Sequence, residues 1–334
     1  MRKNPGWFFV TVLIVIVATF FLSLNLGVIR ITPIEVMQVF LGQGTDQQAL
    51  VLYEFRLPRM VLALLIGAGI AVSGAVLQGL SNNELADPGI LGINAGAGLA
   101  IVLFIYFIGD STATLSTLST FIMPIFAFLG ALVAAILIYV LAWKKGINAI
   151  RLILVGIGVN AGFGAGLIIF QLKMDPQDFM QATIWLSGSI WGTNWMQVLA
   201  ILPWILLLIP FVTYRARFLN ALQLGDSMSK GLGVSVERQR LIFLLISTSL
   251  AGASVAVGGG IAFLGLVAPH LARRLIGPKH QLLLPASALV GALLLLVADM
   301  LARNLLAPSE IPVGIVVSAI GAPYFLYLLM KSKS

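Results

Sequence analysis

The sequence predicts an all-α integral membrane protein of about ten transmembrane helices with both termini cytoplasmic, and three observations predict it. Of its 334 residues 60% are hydrophobic and only 10% charged, at a mean hydropathy of +1.05, more apolar surface than a soluble domain carries. Ten apolar runs approach the roughly 20 residues that a helix rising about 1.5 Å per residue needs to cross the hydrocarbon core. Lysine and arginine gather on alternate connecting segments, as cytoplasmic loops require.

The runs are 7–26, 60–80, 90–108, 121–143, 152–170, 196–214, 241–257, 261–275, 282–301 and 311–330. Arg2 and Lys3 before the first run suggest a signal peptide, but the run exceeds a signal core and no small-x-small cleavage site follows. It reads as an uncleaved span. The seventh and eighth runs are separated only by Gly258, Gly259 and Gly260, so they read either as two spans or as one broken hairpin. With an inner amino terminus, the inner segments hold Arg2, Lys3, Lys144, Lys145, Arg151, Arg215, Arg217, Lys230, Arg238, Arg240, Arg273, Arg274, Lys279, Lys331 and Lys333, or 15 of the 20 basic residues. Arg30, Arg56, Arg59, Lys173 and Arg303 remain outside. Topology thus explains the net charge of +8, and the scattered cations lack the aromatic-interleaved patch that nucleic acid needs.

Small residues predict how the spans pack. Gly67, Ala71, Ala75 and Gly79 recur every fourth residue, as do Gly92, Gly96 and Ala100, and Gly158, Gly162 and Gly166; each set reads as a close-packing face. In the first outer loop Thr32, Pro33 and Glu35 read as a helix start, giving a short helix along the membrane surface. The outer loop 171–195 contains an amphipathic piece, 184–191, too short to cross and readable as a re-entrant helix at the outer mouth. Trp185, Trp191 and Trp195 suit an interfacial belt, with a ligand-lining role for one of them as the alternative. Segment 215–240 reads as a cytoplasmic knob in which Gly225, Asp226 and Ser227 open a short helix and Gly231 to Gly233 break it before a second.

Chemistry is sparse. The absence of cysteine excludes disulfides and thiolate sites. No phosphate loop G-x-x-x-x-G-K-[ST], H-E-x-x-H or EF-hand loop occurs. Asp299 is the one acidic residue within a run, and with Arg303 four residues on it shares a helix face, Arg303 emerging outside. That is thin support for ion coupling, which places carboxylates deep in the helices. His270, near two arginines, reads as a structural hydrogen-bonding residue rather than a metal ligand. What remains is a passive bundle powered by a partner, with a stand-alone channel or secondary transporter as the alternative from another class.

The stretch 55–92 carries the most distinctive motifs: RLPR at 56–59, SGAVLQ at 73–78 and N-x-LADPGILG at 83–92. It resembles the permease subunits of bacterial ATP-binding-cassette importers for iron-siderophores, haem and cobalamin, the FecCD-like family. The resemblance continues through 224–240, 263–273 and 295–323, nearly the whole chain. It implies a type II importer permease fold, one domain over 1–334, in which two permeases, identical or different, flank a path between an ABC ATPase dimer and an extracytoplasmic substrate-binding protein. Arg56, Arg59 and Arg303 match outer arginines that in the family receive glutamates of the binding protein. Asn83, Leu85 and Arg151 match its cytoplasmic gate. Gly225, Asp226, Ser227, Lys230, Gly231 and Gly233 match its ATPase-coupling element. The implied cargo is a ferric siderophore, with haem or cobalamin as alternatives. The implied chain binds no cofactor or metal, since ATP and Mg sit on the partner.

Overall fold

The computed structural model describes residues 5–27, 31–89, 92–108, 116–144 and 149–331. The start of the third run at Ile90, and Arg2, Lys3, Arg30, Lys145 and Lys333 of the charge alternation, lie outside them. The helices run in the order α1 Pro5–Asn25, α2 Pro33–Phe40, α3 Asp46–Leu50, α4 Leu57–Ser81, α5 Ile93–Ile108, α6 Ser116–Ala142, α7 Ala149–Gln171, α8 Pro176–Leu186, α9 Trp195–Tyr214, α10 Ala216–Leu222, α11 Asp226–Gly231, α12 Val236–Gly258, α13 Leu264–Ile276, α14 His280–Asn304 and α15 Val313–Lys331. A π-helical turn, Val51–Arg56, joins α3 to α4.

Each of the ten apolar runs has its helix. Among the described residues, eight helical stretches are long and apolar enough to cross a membrane. The other two, α5 and α13, have 16 and 13 residues, and irregular backbone takes up part of the α13 path. Link 259–263 joins α12 to α13 with left-handed backbone at Gly259 and Phe263, and Gly259 and Ile261 are buried. Irregular backbone survives at such depth only where protein covers it. Gly260 donates its N–H to the Trp185 carbonyl at 3.4 Å, so the end of α8 supplies that cover. A short helix stands in this outer loop as expected, but α8 spans Pro176–Leu186 rather than 184–191. Asp175 caps it, accepting from the N–H groups of Gln177 and Asp178 with Pro176 next in line, and Gly188, at φ +75°, follows its end.

Among the described helices α4 is the hub. Its buried residues include Gly67, Gly74 and Gly79. A side chain at Gly67 would overlap the carbonyl oxygen of Gly291 on α14, and one at Gly291 would overlap that of Gly67. Gly74 likewise meets the backbone of Gly265 on α13. Against α12 the approach is polar: the Ser73 hydroxyl donates to the Ser247 carbonyl at 2.8 Å, and the Ser247 hydroxyl to the Ser73 carbonyl at 3.1 Å. Such interhelical bonds contribute about 0.6 to 2 kcal/mol each in a bilayer. A second close pair, Gly96 with Gly130, joins α5 to α6.

Two expected small-residue faces thus pack within the chain. The third does so in part: a Cβ on Gly166 would touch Leu99 of α5, whereas nothing lies within 4 Å of one built on Gly158 or Gly162. Periodicity alone cannot separate a face packed inside the chain from one left open. In the outer loop, Thr32 accepts from the Glu35 N–H at 3.3 Å, and Glu35 accepts from the Thr32 N–H at 2.6 Å. The Thr32 N–H foremost, and then the Thr32 hydroxyl, which donates to the same carboxylate oxygen at 2.8 Å, hold the Glu35 carboxyl below the usual carboxylate range. Thr45 and Gln48 repeat the motif at α3.

Overpacking a helix contact costs about 1 to 3 kcal/mol. Gly67→Val and Gly291→Val should therefore lower the melting temperature in detergent and reduce monodisperse yield, while Gly162→Val leaves both unchanged. Equal melting of all three would contradict the assigned packing.

Candidate functional site

At the outer end of α4 the three arginines are buried and engaged. Arg59 donates from Nε to Asp299 at 2.8 Å and from Nη1 to Glu310 at 2.6 Å. Arg303 approaches the other Asp299 oxygen at 3.1 Å, too poorly aligned for a hydrogen bond, and donates to the Ser23 hydroxyl. Arg56 donates to the Leu24 carbonyl. Asp299 is 0% exposed, and Arg56, Arg59 and Arg303 are 6, 8 and 6% exposed.

The Asp299 and Arg303 pairing holds as expected, but two expectations need correction. Arg303 does not emerge at the surface, and the three arginines are not open sockets in this chain. An inward-facing carboxylate on α14 draws both Arg59 and Arg303 to it, because a buried charge must be paired. Sequence reasoning missed Glu310, which lies far from Arg59 along the chain. Beside the pair lies a cavity of about 370 Å³ lined by Arg59, Ser189, Trp191, Pro308, Glu310 and Pro312. Apolar side chains form most of its lining, which also holds the Glu310 carboxylate and the Arg59 guanidinium bonded to it. Trp191 lines this cavity, while Trp195 donates its Nε1–H to the Tyr53 carbonyl at 2.8 Å.

At the inner end the knob is α10 and α11, and α12 follows at Val236, so the second helix expected after Gly233 is the start of a long span. Gly225 and Gly233 have φ of +92° and +77°, which side chains with a Cβ rarely adopt. Gly231 has ordinary backbone and open space around it. The knob is braced: Arg240 grips both Asp226 oxygens at 2.7 and 3.1 Å, and buried Ser229 donates to the Ala221 carbonyl at 2.7 Å. Ser227 and Lys230 are exposed. So are Leu224, Met228 and Leu232, at 55, 59 and 63%, three apolar side chains before, within and just after α11.

After α4 the chain turns at Asn82, with φ +50°. Asn83 accepts the Leu85 N–H at 2.9 Å, so these two gate candidates share one turn. Arg151 stands on another element, donating to the Ala142 carbonyl at the end of α6. Segment 82–89 then folds back along α4, burying Ala86, Asp87 and Pro88. Asp87 and Pro88 reach Gly265, which also neighbours the Ile70 carbonyl. Glu84 pairs with Arg273 at 2.9 Å. His270 makes the structural hydrogen bond expected of it, between Nδ1 and the Tyr324 hydroxyl at 2.6 Å.

Removing one partner from a buried pair costs about 3 to 5 kcal/mol. Arg59→Glu, facing Asp299, should therefore destabilise the chain by about that much, so it cannot report on docking alone. Glu310→Gln, at the cavity mouth, should leave the melting temperature within a few degrees of wild type. A stable Arg59→Glu protein would contradict the assigned network.

The sequence pattern of the FecCD transport family matches residues 14–331. The iron(3+)-hydroxamate import system permease protein FhuG of Bacillus subtilis (strain 168) is 64% identical over 96% of this chain and 95% of its own length. The hemin transport system permease protein HmuU of Yersinia pestis is 44% identical over 83% of this chain and 82% of its own. A solved structure described as an inward-facing metal-chelate type ABC transporter superposes with a TM-score of 0.84 at 32% identity, over 98% of this chain and 100% of that one. Eight helical stretches of crossing length among the described residues and these transport permeases make the chain a multi-pass membrane protein, and it belongs to the FecCD transport family.

Proposed function

We propose that the chain is the permease subunit of an ATP-driven importer that carries a ferric hydroxamate siderophore across the cytoplasmic membrane. One observation carries the cargo: 64% identity, sustained over 96% of the chain, to a permease named for iron(3+)-hydroxamate import. The chelate crosses intact, and iron in it is cargo. Haem and cobalamin are the alternative cargoes.

The chain itself hydrolyses nothing and needs no cofactor; ATP and Mg belong to an ATPase dimer below, and a second permease completes the path. The exposed Leu224, Met228 and Leu232 on the braced knob support ATPase docking, since apolar side chains on a cytoplasmic protrusion are what a cleft on a partner covers. Outside, the binding protein meets the surface that the arginines hold in place, Glu310 and the 305–312 turn, and Arg56, Arg59 and Arg303 act through it. Asn83 and Leu85, with Arg151 facing them, close the inner end of the path. A secondary transporter is disfavoured because Asp299, the acidic residue within α14, is neutralised by two arginines.

Uptake of labelled iron by cells lacking this permease and complemented with it tests the cargo. Ferric hydroxamates should be taken up, and ferric catecholates, citrate and haem should not; preference for any of the latter overturns the assignment. For the knob, Met228→Asp should abolish co-purification of the ATPase with no change in melting temperature. Gly233→Val, strained at φ +77°, should weaken coupling more than Gly231→Val. Full association of the Met228→Asp protein would move the docking surface elsewhere.

A further inference from the structure

We infer that the hydrogen bond between Asn220 and His280 is a positioning contact that carries movement of the knob to the end of α4, one turn before Asn83 and Leu85. The inference rests on the knob being the ATPase-docking element.

His280 opens α14 and is 0% exposed. Its Nδ1 lies 2.7 Å from Asn220 Oδ1 on α10, and its backbone N–H donates to the same oxygen at 3.1 Å. Asn220 Nδ2 donates to Gln281 at 2.7 Å. That fixes the amide, so Oδ1 accepts twice and Nδ1 carries the hydrogen. The other ring nitrogen, Nε2, is buried without a hydrogen-bond partner and faces Gly79. A Cβ on Gly79 would stand 2.8 Å from it and 2.9 Å from Leu219 Cγ.

Gly79 of α4 is therefore flanked by Leu219 from α10 and His280 from α14, and the hydrogen bond ties those two helices together at that spot. Movement of α10 must either break the bond or shift the pair against α4. Packing alone does not call for histidine here. A leucine would fill space without the cost of an unsatisfied buried nitrogen, and what the imidazole adds is a directed link to Asn220.

The test uses the whole complex of permease, ATPase and binding protein in proteoliposomes, reading siderophore transported per ATP hydrolysed. Loss of one buried hydrogen bond shifts a balance between two arrangements by about fivefold. Asn220→Leu and His280→Leu should each lower the transport ratio by about that factor, with ATPase co-purification and basal hydrolysis retained. The double variant should be no worse than either single one, as residues in one contact require. His280→Asn, whose amide N–H takes the place of Nδ1–H, should restore the ratio. Ser287→Ala, further along α14 and away from the knob, controls for a general effect on the helix. If His280→Leu does not assemble, half-buried Asn220 and the wedge Gly79→Ala carry the comparison and should give the same fall. Unchanged ratios, additive losses, or His280→Asn as defective as His280→Leu overturn the inference and leave the importer reading intact. A wild-type chain that neither retains an ATPase nor uses ATP overturns that reading, and the inference with it.

Discussion

Backbone-to-backbone contact along α4 is the constraint on which the rest of this structure depends. Lipid gives two apolar helices no hydrophobic reason to associate, so the bundle is held where glycines let main chains touch. Gly67 against Gly291 seats α14, and Gly74 against Gly265 seats α13. The reciprocal Ser73 and Ser247 bonds seat α12. With α4 gripped on these faces its middle is held in the bundle. Its ends carry the candidate groups: the arginine cluster outside and the Asn83 turn inside.

The two ends are built on opposite electrostatic terms. Outside, Asp299 is sunk into the bundle and draws Arg59 and Arg303 inward, so the outer surface presents Glu310 and a mixed cavity rather than bare cations. Inside, charge stays near water. Glu84 with Arg273, and Asp226 with Arg240, are partly exposed pairs of the kind that contributes little stability and rearranges easily. A buried outer network and more exposed inner pairs suit the proposed importer, in which one partner delivers cargo and another drives the inner end.

Legibility followed distance along the chain. The Thr32, Pro33 and Glu35 cap, the Gly67 stripe and the Asp299 and Arg303 pair are local patterns, and each appears where the sequence places it. Partner choice is not local: nothing near Arg59 announces Glu310, and nothing near Gly79 announces His280 or Leu219. The return of 82–89 along α4 was hidden for another reason. Turn formers such as Asn82 and Pro88 mark a change of direction but not its sense, and only the absence of a Cβ at Gly265 lets Asp87 lie there. Gly158 and Gly162 of α7 show the reverse limit, since the spacing that means packing in α4 leaves these two open within the chain.

A passive bundle driven by a docked ATPase is most directly tested by reconstituting the chain in sealed vesicles, alone and with its ATPase and binding protein, and measuring uptake of a labelled ferric hydroxamate. Uptake should require all the components and ATP on the ATPase side, and should ignore imposed proton or sodium gradients. Gradient-driven uptake by the chain alone would contradict a permease whose power comes through the Leu224, Met228 and Leu232 face.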